Sequence, residues 1–406
     1  MERLRLKEAA LTAVGWRPDN LSLSPPIYLD HNATTTPLPE VVEFVARAMT
    51  QTWANPSSAH WLGGQARALL ETARDGVCEL IGGAMPEGVI FTSGGTEANN
   101  IVLLGGDPGC AWRCVITSRV EHASVLRPAQ VLERRGCRVI LLEVSDGGSL
   151  DAEALTRAAA AAPPGPLLVS LQWANSETGV IQPLAELVGA VRAVRPDAFI
   201  HSDSAQAVGR VPMDVMTVGV DAVAFSGHKI HGPHGIGALV FADPDESRVA
   251  PLAHGGGQEH GLRSGTHNLP GAAGLGLAAA SRARSFDDAA SRMRAVRDAF
   301  EESLTALVPG IVVNGAAVPR LPNTSNIRFP GRDGMEIVAR LDTLGVACSQ
   351  GSACSSGRPE PSHVLRAMGL SEADAYSSVR FSFSALNTID EAQRAARAVA
   401  QALRDA

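Results

Sequence analysis

From about residue 88 onward, short runs of β-branched and apolar residues recur between amphipathic stretches. Val89-Ile90-Phe91-Thr92, Cys114-Val115-Ile116-Thr117, Arg138-Val139-Ile140-Leu141-Leu142, Leu167-Leu168-Val169-Ser170, Phe199-Ile200-His201, Ala222-Val223-Ala224-Phe225 and Ala238-Leu239-Val240-Phe241 each read as a buried strand. Stretches such as 123–135 and 183–194 carry a helical period between them. The alternation predicts βαβ units, and so an α/β fold with a mostly parallel seven-stranded sheet sandwiched by helices. Functional groups are then expected at the carboxyl ends of the strands. After about residue 275 the pattern changes. A long Ala/Arg-rich helix from roughly 276 to 306 precedes strands near Ile311-Val312-Val313 and from Thr324 to Phe329, a loop rich in Gly, Ser and Cys, and a terminal helix. The expected organisation is an N-terminal segment (1–37) joining a small domain, a large domain (38–275), and a smaller α+β domain (276–406).

Composition narrows the class. The 406 residues are 45% hydrophobic and 19% charged with a net charge of −7. That is a globular profile with no basic stripe for a nucleic-acid backbone. The apolar runs are too short to span a bilayer. Residues 1–28 include Glu2, Glu8 and Asp19 and lack an export-signal core, so they are taken as mature sequence. Six cysteines at irregular spacings suggest reduced thiols in a cytoplasmic protein, in which a cysteine is free to act as a reagent. Lysine occurs only at positions 7 and 229. A mid-chain lysine among so many arginines suggests a job that requires losing a proton.

Three segments carry candidate chemistry. Thr92-Ser93-Gly94-Gly95-Thr96-Glu97-Ala98-Asn99 stands between a strand and a helix and reads either as an anion cup at a helix N-terminus or as an ordinary connection; it lacks the ending of a Walker loop. His201-Ser202-Asp203-Ser204-Ala205-Gln206 closes a central strand, so Asp203 either faces a cation, such as a protonated pyridine nitrogen, or caps the next helix. Ser226-Gly227-His228-Lys229 sets a lysine at the mouth of the sheet among hydroxyl and imidazole groups, a setting for a Schiff base.

Phosphate cup, aspartate and lysine in this order resemble the fold-type I pyridoxal 5′-phosphate (PLP) enzymes. Further segments narrow the resemblance: Tyr28-Leu29-Asp30-His31-Asn32-Ala33-Thr34-Thr35, Asn55-Pro56-Ser57-Ser58, Glu121-His122, Asn175-Ser176-Glu177-Thr178-Gly179, Gly255-Gly256-Gly257-Gln258-Glu259 and Arg263-Ser264-Gly265-Thr266. Together, from about residue 27 to 385, the chain is similar to cysteine desulfurases of the NifS/IscS type, in the class-V aminotransferase family. The resemblance implies that Lys229 carries PLP, that His122 stacks on its ring and shuttles protons, and that Asp203 pairs with the ring nitrogen. It places Asn175 and Gln206 on the ring's O3′ side. Thr96, Ser226 and His228 fall at the phosphate, Gly95 and Glu97 join the cofactor-binding set, and Thr266 reaches the phosphate of a second subunit in a homodimer. Asn32, Asn175 and Arg380 fall at the substrate, with Asn32 and Arg380 holding its α-carboxylate. In Cys348-Ser349-Gln350-Gly351-Ser352-Ala353-Cys354-Ser355-Ser356-Gly357, Cys354 takes the position of the persulfide cysteine.

The implied reaction removes sulfur from L-cysteine, leaves alanine, and passes a persulfide from Cys354 to an acceptor protein serving iron–sulfur clusters, thio-cofactors or tRNA. Selenocysteine lyase, or another PLP reaction on the same fold, is the alternative. No metal is implied, no nucleic acid or membrane is an expected partner, and Cys348 is expected to be a buried or spectator thiol. His234, His260 and His267 depart from the family pattern, at positions expected on the rim of the site. A purified protein with a visible absorbance that borohydride removes, and that Lys229→Ala lacks, is the expected outcome; a colourless wild type that binds no PLP would refute it.

Overall fold

The computed structural model describes residues 26–105, 112–351 and 360–404. Strand β1 (Ile27–Tyr28) comes first. The seven apolar runs then form one sheet: β2 (Val89–Thr92), β3 (Cys114–Ser118), β4 (Arg138–Leu142), β5 (Leu167–Ser170), β6 (Phe199–Asp203), β7 (Ala222–Ser226) and β8 (Gly237–Phe241), in the order β2-β8-β7-β6-β5-β3-β4. β3 to β7 pair in parallel, while β8 runs antiparallel to both neighbours.

Burial on both faces explains why these strands read as continuous apolar runs. Val89, Phe91, Ile116, Val169, Ile200, Val223 and Phe225 face one core, and Ile90, Val115, Leu168, Phe199, Ala224 and Leu239 face the other. That is the period-two alternation of a pleated strand with helices above and below. β4 is an edge strand, and its half-exposed face carries Arg138, a charge suited to a sheet edge.

Beyond the large sheet, β9 (Val312–Val313), β10 (Thr324–Arg328) and β12 (Ser378–Ser382) make a small antiparallel sheet, and β1 pairs in parallel with β11 (Val346–Ala347). Ile27 and Leu29 thus share a core with Phe300, Ile327, Phe381, Phe383, Ala396 and Val399. The start of the described chain is packed into its end.

The single helix expected over 276–306 is two, Leu269–Arg284 and Phe286–Leu307, broken at Ser285 (φ −105°, ψ 13°). The first supplies Leu269, Ala272, Leu275 and Ala279 to the large-sheet core, and the second supplies Val296, Phe300 and Leu304 to the small one. One straight rod cannot present a stripe to both, and the Ser285 hydroxyl donates to the Ser281 carbonyl (2.9 Å) where the direction changes.

Phe300 is fully buried, with ring centroids 4.7 Å and 5.4 Å from Phe381 and Phe383. Phe300→Ala leaves a cavity in the small core, and a loss of about 3–5 kcal/mol is expected. Equilibrium urea unfolding followed by circular dichroism checks this; an unchanged midpoint would show that the core collapses around the gap.

Candidate active site

The site lies along the carboxyl ends of β3, β5, β6 and β7, where the loops after the parallel strands converge. Gly237 makes the phosphate side possible: a Cβ there would lie 2.4 Å from the Phe225 carbonyl oxygen and 2.6 Å from Gly94 Cα. The Ser93–Gly95 turn therefore packs directly on the sheet, and the Gly95 amide donates to Ser226 Oγ at the end of β7 (2.7 Å). Gly95 opens the helix Gly95–Leu104, and the exposed Thr96 next to it stands at this helix N-terminus, an end that favours an anion. Glu97, in the same turn, is directed elsewhere. Its carboxylate accepts from the Ser93 amide and from Arg263 Nε (3.0 Å). Burial raises its pKa, but these hydrogen bonds outweigh the penalty and leave it below the usual value.

Lys229 follows β7 in a short 3₁₀ turn, Gly227–Lys229. Its Nζ donates to the carbonyls of Asn32 and Ala33 (2.9 Å to the latter). Burial, reinforced by Arg210 and Arg380, brings its pKa down to about 7 against the opposing pull of Asp203 and Asp30. A fraction of the amine is therefore neutral near neutral pH. His228, beside it, is held down to about 4 by burial and then by Lys229 and His234. Its Nδ1 lies 3.1 Å from Thr34 Oγ1, and its ring stacks on that of His234, whose Nε2 lies 2.8 Å from the same hydroxyl.

Asp203 ends β6 and is 6% exposed. Both readings of its sequence context hold at once: Oδ1 accepts from the Ala205 amide (3.1 Å), as a turn cap does, and Oδ2 accepts from Asn99 Nδ2 (2.8 Å). Among the described residues no basic side chain lies within 4 Å of this carboxylate. A buried carboxylate requires compensation. A protonated pyridine nitrogen supplies the missing cation, so the donor set fits PLP.

Asn99 and Ser124, to which the sequence assigned no role, connect Asp203 to His122. Asn99 Nδ2 donates to Ser124 Oγ (2.8 Å) as well as to Asp203, Ser124 Oγ lies 2.7 Å from His122 Nδ1, and the Ser124 amide donates to that nitrogen (3.1 Å). With the amide donating to Nδ1 and the hydroxyl already accepting from Asn99, the neutral ring carries its proton on Nε2. Asn99 was present in the quoted Thr92–Asn99 motif. Ser124 carried only the weak signal of standing two residues after the helix-capping His122.

The remaining residues divide by what already holds them. Gln206 donates to the Asn32 carbonyl (3.0 Å) and accepts from Arg210. Asn175 Oδ1 accepts from the Glu177 and Thr178 amides (both 2.9 Å), and its Nδ2 donates to the Val120 carbonyl (3.0 Å), so its amide organises the 175–178 turn. Asn32 is tied to Ser176, Thr324 and Asn323. Arg380, on β12, places Nη2 2.6 Å from Asp30 Oδ1 and Nη1 3.1 Å from the Ser176 carbonyl, while its buried Nε has no acceptor among the described residues. Thr266 is exposed on a loop whose Glu259 is bound by Arg74 and by His267 Nε2 (3.0 Å each).

Cys354 lies outside the described residues, but both flanks of its segment meet the site. Ser349 exchanges backbone hydrogen bonds with Arg380 (2.6 Å and 3.2 Å), the Ser362 hydroxyl donates to Glu177, and His363 Nε2 lies 3.0 Å from the Glu121 carbonyl oxygen. Burial pushes the Cys348 thiol up to about 12, which keeps it protonated.

This architecture is that of a PLP-dependent enzyme of aminotransferase type, with a helix N-terminus, a buried carboxylate and a lysine on one sheet edge and a guanidinium near them. The class-V aminotransferase family model matches residues 27–395. A cysteine desulfurase from Trichormus azollae is 42% identical over 365 residues, 89% of each chain. The solved structure of a NifS-like protein superposes with a TM-score of 0.85 at 30% identity, covering 94% of this chain and all of the other. That of SspA in complex with cysteine gives 0.77 at 32% identity, covering 89% and 100%. The chain belongs to the cysteine desulfurases, PLP-dependent members of the class-V aminotransferase family.

Glu121, beside His122, is wholly buried and accepts from Ser118 Oγ (2.6 Å) and the Gln172 amide (3.0 Å). Burial, despite those donors and assisted by Asp203, raises its pKa from 4.5 to about 8. The folded protein then retains a proton that the unfolded chain releases, so stability is lost as pH rises from about 4.5 towards about 8. Glu121→Gln removes that dependence. Thermal midpoints measured between pH 5 and 8 are expected to turn in favour of the variant as pH rises; parallel curves would show that Glu121 is ionised throughout.

Proposed function

We propose that this cysteine desulfurase works with Lys229, His122 and Cys354 as its catalytic residues. The observation that carries the reading is the pairing of a buried Asp203, which has no basic side chain within 4 Å among the described residues, with a half-buried Lys229 of lowered pKa at adjacent strand ends. Bound there, PLP supplies an aldehyde that links to amines and an electron sink for charge at the substrate's Cα. Asp203 holds its ring nitrogen protonated, with Gln206 and Asn175 towards O3′. The helix-terminal amides at Gly95 and Thr96, with Ser226 and His228, hold the phosphate.

Arg380 and Asn32 take the α-carboxylate of L-cysteine, for which a forked guanidinium is the suitable donor. Lys229 would anchor the cofactor and its neutral Nζ would take the Cα proton of the bound substrate; a neutral fraction near pH 7 suits it to both tasks. His122 carries its proton on Nε2 and exchanges it with the thiols. The Cys354 thiolate would form a bond to the substrate sulfur as that sulfur's bond to Cβ breaks, the electron pair of the broken bond staying with the three-carbon fragment, which takes a proton at Cβ and regains one at Cα to become alanine. Alanine departs, and the persulfide passes to an acceptor protein of the iron–sulfur, thio-cofactor or tRNA pathways. The attachment of Ser349 to the Arg380 backbone supports this role, because it ties one flank of the cysteine segment to the carboxylate binder.

The working unit is a homodimer in which Thr266 serves the partner's phosphate. Val42, Met49, Trp53 and Trp61 support it: 54%, 61%, 69% and 71% exposed, they concentrate apolar surface on and just after the helix Pro39–Gln51. The free cysteines Cys78, Cys114, Cys137 and Cys348 suit a reducing cytoplasm. Among the described residues no helix is long and apolar enough to cross a membrane, and no cluster of His, Cys, Asp and Glu is arranged to hold a metal.

Cys354→Ala is expected to lower alanine and persulfide formation from L-cysteine by about a hundredfold or more, as loss of a nucleophile does, while keeping the visible absorbance of bound PLP. Coupled assays of both products measure it, with L-selenocysteine in parallel. Full-rate desulfuration by the variant, or turnover of selenocysteine alone by the wild type, would overturn the reading.

A further inference from the structure

Beside Lys229 lies a small recess, partly open to solvent and with room for a single small occupant, whose charged and titratable lining is Arg210, Arg282, Lys229 and His231. None of the residues assigned to the PLP ring or phosphate enters it except Lys229, and no carboxylate lines it among the described residues.

Arg210 is 6% exposed. Its guanidinium donates to Gln206 through the carbonyl (3.2 Å) and the side chain, and to the carbonyls of His31 (3.3 Å) and Lys229 (3.2 Å). All four acceptors are neutral. Arg282 sits on the last turn of the helix Leu269–Arg284, its stem held where a Cβ on Gly209 would come within 2.8 Å of its Cγ. Among the described residues Arg282 has neither a hydrogen-bond acceptor nor an acidic side chain within 4 Å. The charges that act on Arg210 are Arg282 and Arg380, both repulsive. His231 and His31 do not compensate, since burial holds both rings neutral at about 4 and about 3.

Buried guanidinium groups in proteins are paired with anions, because the cost of desolvating them is several kcal/mol per ion. Here the buried Arg210 and the half-buried Arg282 line one space, and among the described residues neither has a carboxylate within 4 Å. We propose that the recess between Arg210 and Arg282 is a binding site for a small monovalent inorganic anion of the chloride type, which supplies the counter-charge beside Lys229. Small size follows from the walls: Ile230, Met293 and Phe383 offer no partners to a larger polar ligand, while Thr35 and Ser384 supply hydroxyls at the rim. The site is built from this chain's own charges and holds its anion whether or not Cys354 is the persulfide cysteine.

The holoenzyme tests it in two ways, neither of which reads sulfur transfer. Crystals soaked in bromide are expected to show an anomalous peak within hydrogen-bond distance of guanidinium nitrogens of both Arg210 and Arg282. In solution, chloride replacing gluconate at constant ionic strength should raise the thermal midpoint with the logarithm of its concentration. Arg282→Leu should remove the peak and the rise, and Arg282→Lys should retain a weaker rise. Bromide found only at Arg380, a carboxylate of a second copy or of residues 1–25 seated in the recess, or a rise unaltered in Arg282→Leu would each overturn the proposal. If Arg282→Leu does not fold, the bromide peak in the wild type decides.

Discussion

Residues 29–35 form the clasp on which the rest of the site depends. This stretch leaves β1, crosses from the small sheet to the large one, and gives its polar groups to both. The Ser382 amide donates to the Leu29 carbonyl, and the His31 amide to the Ser382 carbonyl. Asp30 takes Arg380; the Asn32 and Ala33 carbonyls take Lys229; the His31 carbonyl takes Arg210; and Thr35 donates to the His228 carbonyl. Four cationic or ring-bearing residues from distant parts of the chain are thus positioned from one short segment. Such an arrangement costs little extra order, because the backbone of the clasp is already fixed by its two sheets.

The electrostatics follow from that crowding. The site assembles more positive than negative charge, and burial at the strand ends removes the water that would screen it. Protons are given up most readily by Lys229, His228, His31 and His231, and retained on Glu121. A lysine able to become neutral beside a buried carboxylate is a pairing that PLP chemistry can use. The near absence of lysine elsewhere in the chain is consistent with a residue kept for what arginine cannot do.

The large sheet was legible because strands buried on two faces leave an uninterrupted apolar signature, and the strand ends then located Asp203 and Lys229. The reversal of β8 was not legible, since direction depends on which neighbour a strand meets and not on its composition. The break at Ser285 was hidden for a related reason: serine is only a weak helix breaker, and the two helices differ in the cores they face rather than in local pattern. Asn99 and Ser124 escaped notice because their function exists only when the loops after β2 and β3 close on the end of β6. Asn175 was singled out for ligand contact, yet most of its hydrogen-bonding capacity is taken by its own turn, a use that spacing in sequence does not reveal.

The anchoring of Ser349 to Arg380 has a geometric consequence for any molecule that receives sulfur. Cys354 stands three residues after Gly351, the last described residue before it, and a fully extended chain covers at most about 3.3–3.6 Å per residue. The leash from Gly351 to the cysteine therefore reaches no further than about 10 Å. If Cys354 is the persulfide cysteine proposed above, an acceptor has to come within that reach of Gly351, which favours a partner that projects into the cleft over one that lies flat against the outer helices.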